Sequence, residues 1–368
     1  MAVVSLAVAS VIATAGFGGV AQAAPAQAPA VVASHAYRHG AVPTFTSLGL
    51  KAASVTALPR SKKNVTYSGG VDGVGVTTGH PEVYLVFWGS QWGTESTAGK
   101  YDTFSGDPSA IAPDLQAFFS GLGTDGDKWS GTATQYCQGV AVGTMTCPAG
   151  NTSHVGYPTG GALAGVWEDT SSAAPKKATA HQLALEAVAA ATHFGNSTQA
   201  SNRNTQYFIV SPTGTEPDGF NTPSGGFCAW HDYSSDPTLD GGGGVTSPIG
   251  TVAFTNMPYV ENAGASCGAN FVNPGATGAN DGVTIVAGHE YTETITDQFP
   301  TGGWIDAAGE EVADLCAWKS SGTGKAKDLK LATGSFAVQG IWSNAANKGK
   351  GGCSTSSAII TDPAVSKR

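Results

Sequence analysis

The chain has 368 residues, 41% of them hydrophobic and only 12% charged, with 51 glycines. That length can bury a sizeable core, while so little charge beside so much glycine argues for a loop-rich extracellular protein and against a cytosolic enzyme. With 18 basic against 27 acidic residues the net charge is −9, which argues against nucleic acid or an anionic membrane as partner.

Residues 2–20 are apolar and small, and the run ends in Ala21-Gln22-Ala23. A small-x-small site after a hydrophobic stretch predicts a secretory signal over residues 1–23, although the usual basic n-region is missing. No later segment is apolar enough to span a bilayer, so the mature protein is expected to be secreted, extracellular and free of the membrane. Residues 24–63 are rich in Ala, Pro, Val and Ser without periodicity, and Arg60-Ser61-Lys62-Lys63 closes them. They read as a disordered leader or as a propeptide cut near that basic cluster. Six cysteines without a C-x-x-C pair predict three disulfides and no cysteine-rich metal site. Cys137 and Cys147 suit a hairpin staple; sequence order pairs Cys228 with Cys267 and Cys316 with Cys353.

Glu82–Trp88 is a continuous apolar run between Pro81 and Gly89 and predicts a buried central strand. Ile111–Leu122 carries Leu115, Phe118, Phe119 and Leu122 at helical spacing, with Gly123 as its stop. Lys176–Phe194, rich in Ala and Leu, predicts a second helix ending at Gly195. Gln206–Val210 and Thr251–Phe254 predict further strands, with a flexible loop at Gly241–Gly244 between them. Val283–Thr296 predicts a third helix, capped by Asn280 or Asp281, with Val283, Val286 and Ala287 on its apolar side. Helices and strands mix without regular alternation, so the expected class is α+β: one loop-rich, disulfide-stapled domain over 64–368 with a central sheet.

The third helix carries the chemistry. His289-Glu290-x-x-Glu293 puts His289 and Glu293 four residues apart, on one face of a helix. Two side chains so placed can hold one metal ion, with Glu290 as candidate general base, and the fold is then expected to be zincin-like with a metal-site helix. The run departs from the usual zinc-protease motif by a glutamate in place of the second histidine. A catalytic zinc takes three protein ligands and leaves a position open. Glu311 is assigned as the third ligand and Asp314 as the carboxylate orienting a ligating histidine; the reverse assignment fits the sequence nearly as well. Zn2+ is the expected cofactor; one histidine with two carboxylates is a more anionic set than two histidines with one, which makes a harder divalent metal the alternative. His231, beside Cys228, is a candidate donor to a developing oxyanion or a fourth ligand.

Each assignment has a plainer competitor. His-Glu-x-x-Glu occurs by chance on acidic helices, and His231 could be a loop histidine bonded to backbone. His181 and His193 bracket the second helix and read as structural; Asp297 and Asp306 read as caps or turn residues. Gly264-Ala265-Ser266-Cys267-Gly268 fits the nucleophile elbow of serine hydrolases, but that motif needs a strand before it and a helix after, and Ala269–Gly275 is poor helix.

In matching order over roughly residues 65–355, several blocks resemble the phosphate-induced/EXORDIUM-like proteins, secreted proteins of plants with bacterial and fungal relatives. They are Tyr67-Ser68-Gly69-Gly70 with Val83–Gly89, Phe227-Cys228 with His231, the segment around Cys267, Asp281-Gly282-Val283 leading to Trp304, and Ile341-Trp342 before Cys353. The chain is most similar to bacterial-type members at His289-Glu290-x-x-Glu293, Thr296-Asp297, Gly303-Trp304-x-Asp306 and Glu311-Val312-x-Asp314-x-Cys316. Gln298 stands where the bacterial pattern has proline. The resemblance implies secretion and a shared scaffold. It carries over no enzyme activity, because the plant branch lacks the His-Glu-x-x-Glu residues.

The combined expectation is a secreted, monomeric metal-dependent peptidase acting on protein or peptide substrates, with His289, Glu293, Glu311 and Asp314 around the metal and Glu290 and His231 as catalytic groups. The competing expectations are a non-catalytic extracellular binding or signalling protein with a structural carboxylate cluster, and a metal-dependent hydrolase of glycosidic or ester bonds.

Overall fold

A computed structural model describes Met1 and residues 37–48, 64–223 and 225–356. The rest of the expected signal, and leader residues 24–36 and 49–63, lie outside the described residues. The frame is one five-stranded sheet. Its strands are β1 (Glu82–Trp88), β2 (Leu163–Asp169), β3 (Thr205–Val210), β4 (Trp230–Tyr233) and β5 (Ala253–Met257), in the order β2-β1-β3-β5-β4. The first four in that order run parallel, and β4 returns antiparallel at the edge. The protein is thus a mixed α and β structure around a mixed sheet, and the α+β expectation missed how much of the sheet is parallel.

Three helices cover the sheet: α1 (Ile111–Gly121), α2 (Ala180–His193) and α3 (Asp281–Thr296). Neighbouring residues of a strand point to opposite faces, and β3 shows which helix lies where. Tyr207 stacks with Tyr84, which in turn meets Phe194 at the end of α2. Phe208 meets Phe119 of α1, and Phe119 meets Tyr291 of α3. The continuous apolar run of β1 follows from this double cover: Leu85, Val86 and Phe87 are fully buried. A capping box of Thr179 and Gln182 starts α2, later than the expected Lys176.

Every residue of α3 is buried. The expected single apolar side of Val283, Val286 and Ala287 is corrected to a helix enclosed all round, which explains its weak amphipathic pattern. An antiparallel hairpin, Lys327–Leu331 with Gly334–Val338, packs on it, and Thr284 donates its hydroxyl hydrogen to the carbonyl of Ala337. Beyond its C-terminal end the Asp297 carboxylate accepts the backbone N–H groups of Thr301, Gly302 and Gly303. Asp306 does the same for Ala308 and Glu310. Both are turn residues.

Three disulfides join Cys137 to Cys147, Cys228 to Cys267 and Cys316 to Cys353, the pairs given by sequence order. No helix among the described residues is long and apolar enough to cross a membrane. The expectation of a structureless leader does not hold for residues 37–48. Val42 and Phe45 are buried, and Arg38 pairs with Asp218 at 2.5 Å. The backbone of this segment bonds along the Gly226–His231 edge, which neither apolar periodicity nor a strand motif announces.

Candidate metal centre

One helical turn separates His289 and Glu293, and their side chains converge. The His289 ring is fixed from behind by Gln339. The Gln339 amide nitrogen donates to the carbonyls of Ala313 and Gly340, so its oxygen is free to accept from Nδ1 of His289 at 3.1 Å. In the neutral ring this leaves the lone pair on Nε2. That nitrogen lies 3.0 Å from Oε2 of Glu293 and 3.5 Å from Oδ1 of Asp314. It is buried and has no hydrogen bond.

Glu293 divides its two oxygens. Oε1 accepts the backbone N–H groups of Ala313 and Asp314 at 3.1 and 2.8 Å. Oε2 has no hydrogen bond and faces both His289 and, at 3.8 Å, Nε2 of His231. The turn that supplies those amides also brings Asp314, whose Oδ2 accepts from the N–H of Glu311 at 3.2 Å. The disulfide from Cys316 to Cys353 holds the same turn. Asp314 therefore faces the inner nitrogen of His289, and the amide of Gln339 fills the position behind the ring that the sequence reading gave to Asp314.

His231 enters from β4. Nδ1 is 3.3 Å from the Thr294 hydroxyl oxygen, which accepts from the amide of Gln206 at 2.6 Å. Nε2 is 3.3 Å from each carboxylate oxygen of Glu311. Two overlapping ligand sets result, His289–Glu293–Asp314 and His231–Glu293–Glu311, each with its atoms within 4.8 Å of one another and sharing Glu293. Glu290 is fully buried beside them, and neither of its carboxylate oxygens has a hydrogen-bond partner.

The electrostatics are those of an enclosed acidic cluster. Burial raises Glu290 and Glu311 well above the usual carboxylate range, Glu311 further through the charges of Asp297 and Glu293. Burial and Asp314 raise Glu293 to about 7. Burial lowers His289, but the Glu293 charge, the nearby Asp314 carboxylate and the Glu290 charge outweigh it and push it well above 6.5. His231, with burial unopposed and two histidines nearby, falls well below. Among the described residues no lysine or arginine forms an ion pair with these carboxylates.

The donor types in each set suit a divalent cation. Ligands about 2.1 Å from a tetrahedral zinc lie about 3.4 Å from each other; the nitrogen-to-oxygen contacts are 3.0 and 3.5 Å in the His289 set and 3.8 and 3.3 Å in the His231 set. A lone-pair nitrogen facing a carboxylate oxygen in a buried site needs a proton or a cation between them.

The six residues singled out in the sequence meet in this region: His231, His289, Glu290, Glu293 and Glu311 are buried, the Asp314 side chain is 13% exposed, and all but Glu290 belong to the two ligand sets. Sequence reasoning missed Gln339, Thr294 and Gln206. Gly264–Cys267 is a short 3-10 turn with Cys267 in a disulfide, not a nucleophile elbow. His181 bonds the Gly243 carbonyl and His193 stacks on Trp167, both away from the cluster. Comparison of the chain with protein-family models, with curated proteins and with solved structures finds no match.

Proposed function

We propose that the cluster is the metal centre of a secreted zinc peptidase built on a zincin-like frame. The observation that carries this reading is the facing of His289 Nε2 and Glu293 Oε2, both buried and neither hydrogen-bonded. The mixed sheet, with its antiparallel edge strand beside the metal-site helix, supports the zincin-like frame, and three disulfides support an oxidising, extracellular setting. The resemblance to EXORDIUM-like proteins bears on scaffold and secretion, not on hydrolysis.

His289, Glu293 and Asp314 would hold the ion, with the His231–Glu311 pair as the second ligand group sharing Glu293. Bound there, zinc polarises a carbonyl and acidifies a water. Glu290 is the general base: its two oxygens are uncommitted, so it can take a proton and return it to a leaving amine. Gln339 keeps the His289 lone pair turned inward, and Thr294 positions His231 from behind its ring.

The test is metal analysis of the purified chain together with hydrolysis of an unfolded protein, each measured before and after proteolytic removal of the leader residues 24–63. The reading expects about one zinc per chain, lost in His289→Ala, and retained zinc without hydrolysis in Glu290→Gln. Full metal content in His289→Ala removes the site assignment. Undiminished hydrolysis by Glu290→Gln removes the peptidase mechanism.

A further inference from the structure

Residues 37–48 lie across this cluster, in a way that suits a ligand better than a wall. Their backbone extends the sheet beyond β4. The Val42 carbonyl accepts from the Cys228 N–H at 2.7 Å, and the His39 carbonyl accepts from the His231 N–H at 3.1 Å. The Val42 and Thr44 N–H groups donate to the carbonyls of Ala229 and Gly226 at 3.1 and 2.9 Å. The pairing is antiparallel, with His39 opposite His231 and Pro43 opposite Phe227. Such bonds involve backbone alone, so they fit any extended peptide.

Side chains seat the segment. Arg38 pairs with Asp218 and lies over the Phe227 ring at 4.6 Å, Val42 is fully buried, and Phe45 packs on Trp318. Between these anchors the chain turns at Gly40, with φ +54°, directly over the ligand atoms. A Cβ there would overlap Oε2 of Glu293 and come within 2.7 Å of Nε2 of His231. Backbone thus fills the space in front of the two residues that a substrate must approach, and only glycine fits.

We propose that the Gly226–His231 edge is the binding strand for an extended peptide, and that residues 37–48 are its built-in occupant, closing the centre until the segment leaves. The register read from this occupant gives the ligand chemistry: a residue without a side chain over Glu293, a basic residue two positions before it and an aliphatic residue two positions after. The proposal rests on the metal-centre reading, but its binding arm is measured without catalysis.

For the test, a recognition sequence for a site-specific protease is placed between residues 52 and 60 of the full chain, which is folded intact and then cut. The proposal expects the N-terminal fragment to separate on gel filtration and a fluorescent peptide of residues 37–48 to bind the emptied chain. Zinc uptake should become at least tenfold faster. Replacing the arginine of the peptide by alanine should weaken its binding at least tenfold, and replacing its glycine by leucine should abolish it. In the uncut chain, Arg38→Ala should speed amide exchange at Val42 and His231 at least tenfold. A fragment that stays bound through dilution, a body that unfolds when the fragment leaves, unchanged exchange in Arg38→Ala, or equal binding of the leucine peptide each overturns the proposal. An emptied chain that binds the peptide but hydrolyses nothing removes the peptidase reading alone. One that hydrolyses at the uncut rate and binds no peptide removes this proposal alone.

Discussion

Oε2 of Glu293 and Nε2 of His289 face each other at 3.0 Å with no hydrogen bond to either atom. In water such groups would be solvated. Here burial removes the water and the other polar contacts are spent elsewhere, Oε1 of Glu293 on two backbone amides and Nδ1 of His289 on Gln339. Glu293→Gln keeps size and the Oε1 contacts but puts a neutral amide at the inner position. It is expected to lower zinc affinity by more than about 100-fold, beyond the range for a residue that only orients a ligand, while circular dichroism stays native. Metal titration with a competing chelator measures this.

Gln339→Leu tests the support behind the ring. Without an acceptor for Nδ1–H, the imidazole loses its fixed tautomer and orientation. Zinc affinity is expected to drop about 10- to 100-fold. Gln339→Glu, which can still accept from Nδ1, is expected to recover most of that loss in the same titration.

Glu290→Gln separates binding from chemistry. The side chain touches no hydrogen-bond partner, so the amide should leave the fold and the metal in place. With residues 37–48 cut away from both chains, hydrolysis of an unfolded protein is expected to fall about 10²- to 10⁴-fold, the usual contribution of a positioned base. Zinc content by atomic absorption should match that of the unaltered chain.

Glu186 on α2 offers a pH signature away from the metal centre. Burial, with the Asp169 charge and a hydrogen bond to it, raises its pKa from 4.5 to about 8. Between those values the unfolded chain has released a proton that the folded chain keeps. Its contribution to stability is therefore full below pH 4.5, falls as pH rises to about 8 and is flat above. Glu186→Gln should flatten this part of the profile. At pH 8 it should raise the melting temperature by roughly 4 °C or more, for a gain of about 2 kcal/mol, read by calorimetry across pH.

Local patterns carried the parts of this molecule that were legible in advance. The apolar run of β1, the spacing in α1 and the four-residue interval from His289 to Glu293 depend on neighbours in sequence, and each stands where that spacing puts it. Glu311 and Asp314 were visible as a carboxylate cluster downstream of the helix, beyond a Gly-rich turn and closed by Cys316. Gln339 was not: it lies 50 residues from its histidine partner, in a connection after a hairpin, and a lone glutamine has no motif. Thr294 sat within the helix pattern, but its role depends on His231 arriving from β4. The parallel pairing of β1 with β2 was hidden by a long connection that holds a hairpin (Glu95–Ala98 with Tyr101–Phe104), short turns and one helix. Residues 37–48 read as leader because strand addition leaves no trace in composition.

The cover over β4 has a colloidal consequence as well. An uncovered sheet edge presents a row of backbone donors and acceptors that pairs readily with other chains. Here that row is matched by Val42, Thr44 and His39 of the same molecule. A preparation that has lost residues 37–48 is therefore expected to self-associate through the exposed edge, so shelf stability and resistance to fibre formation depend on the integrity of a stretch of sequence that looks expendable.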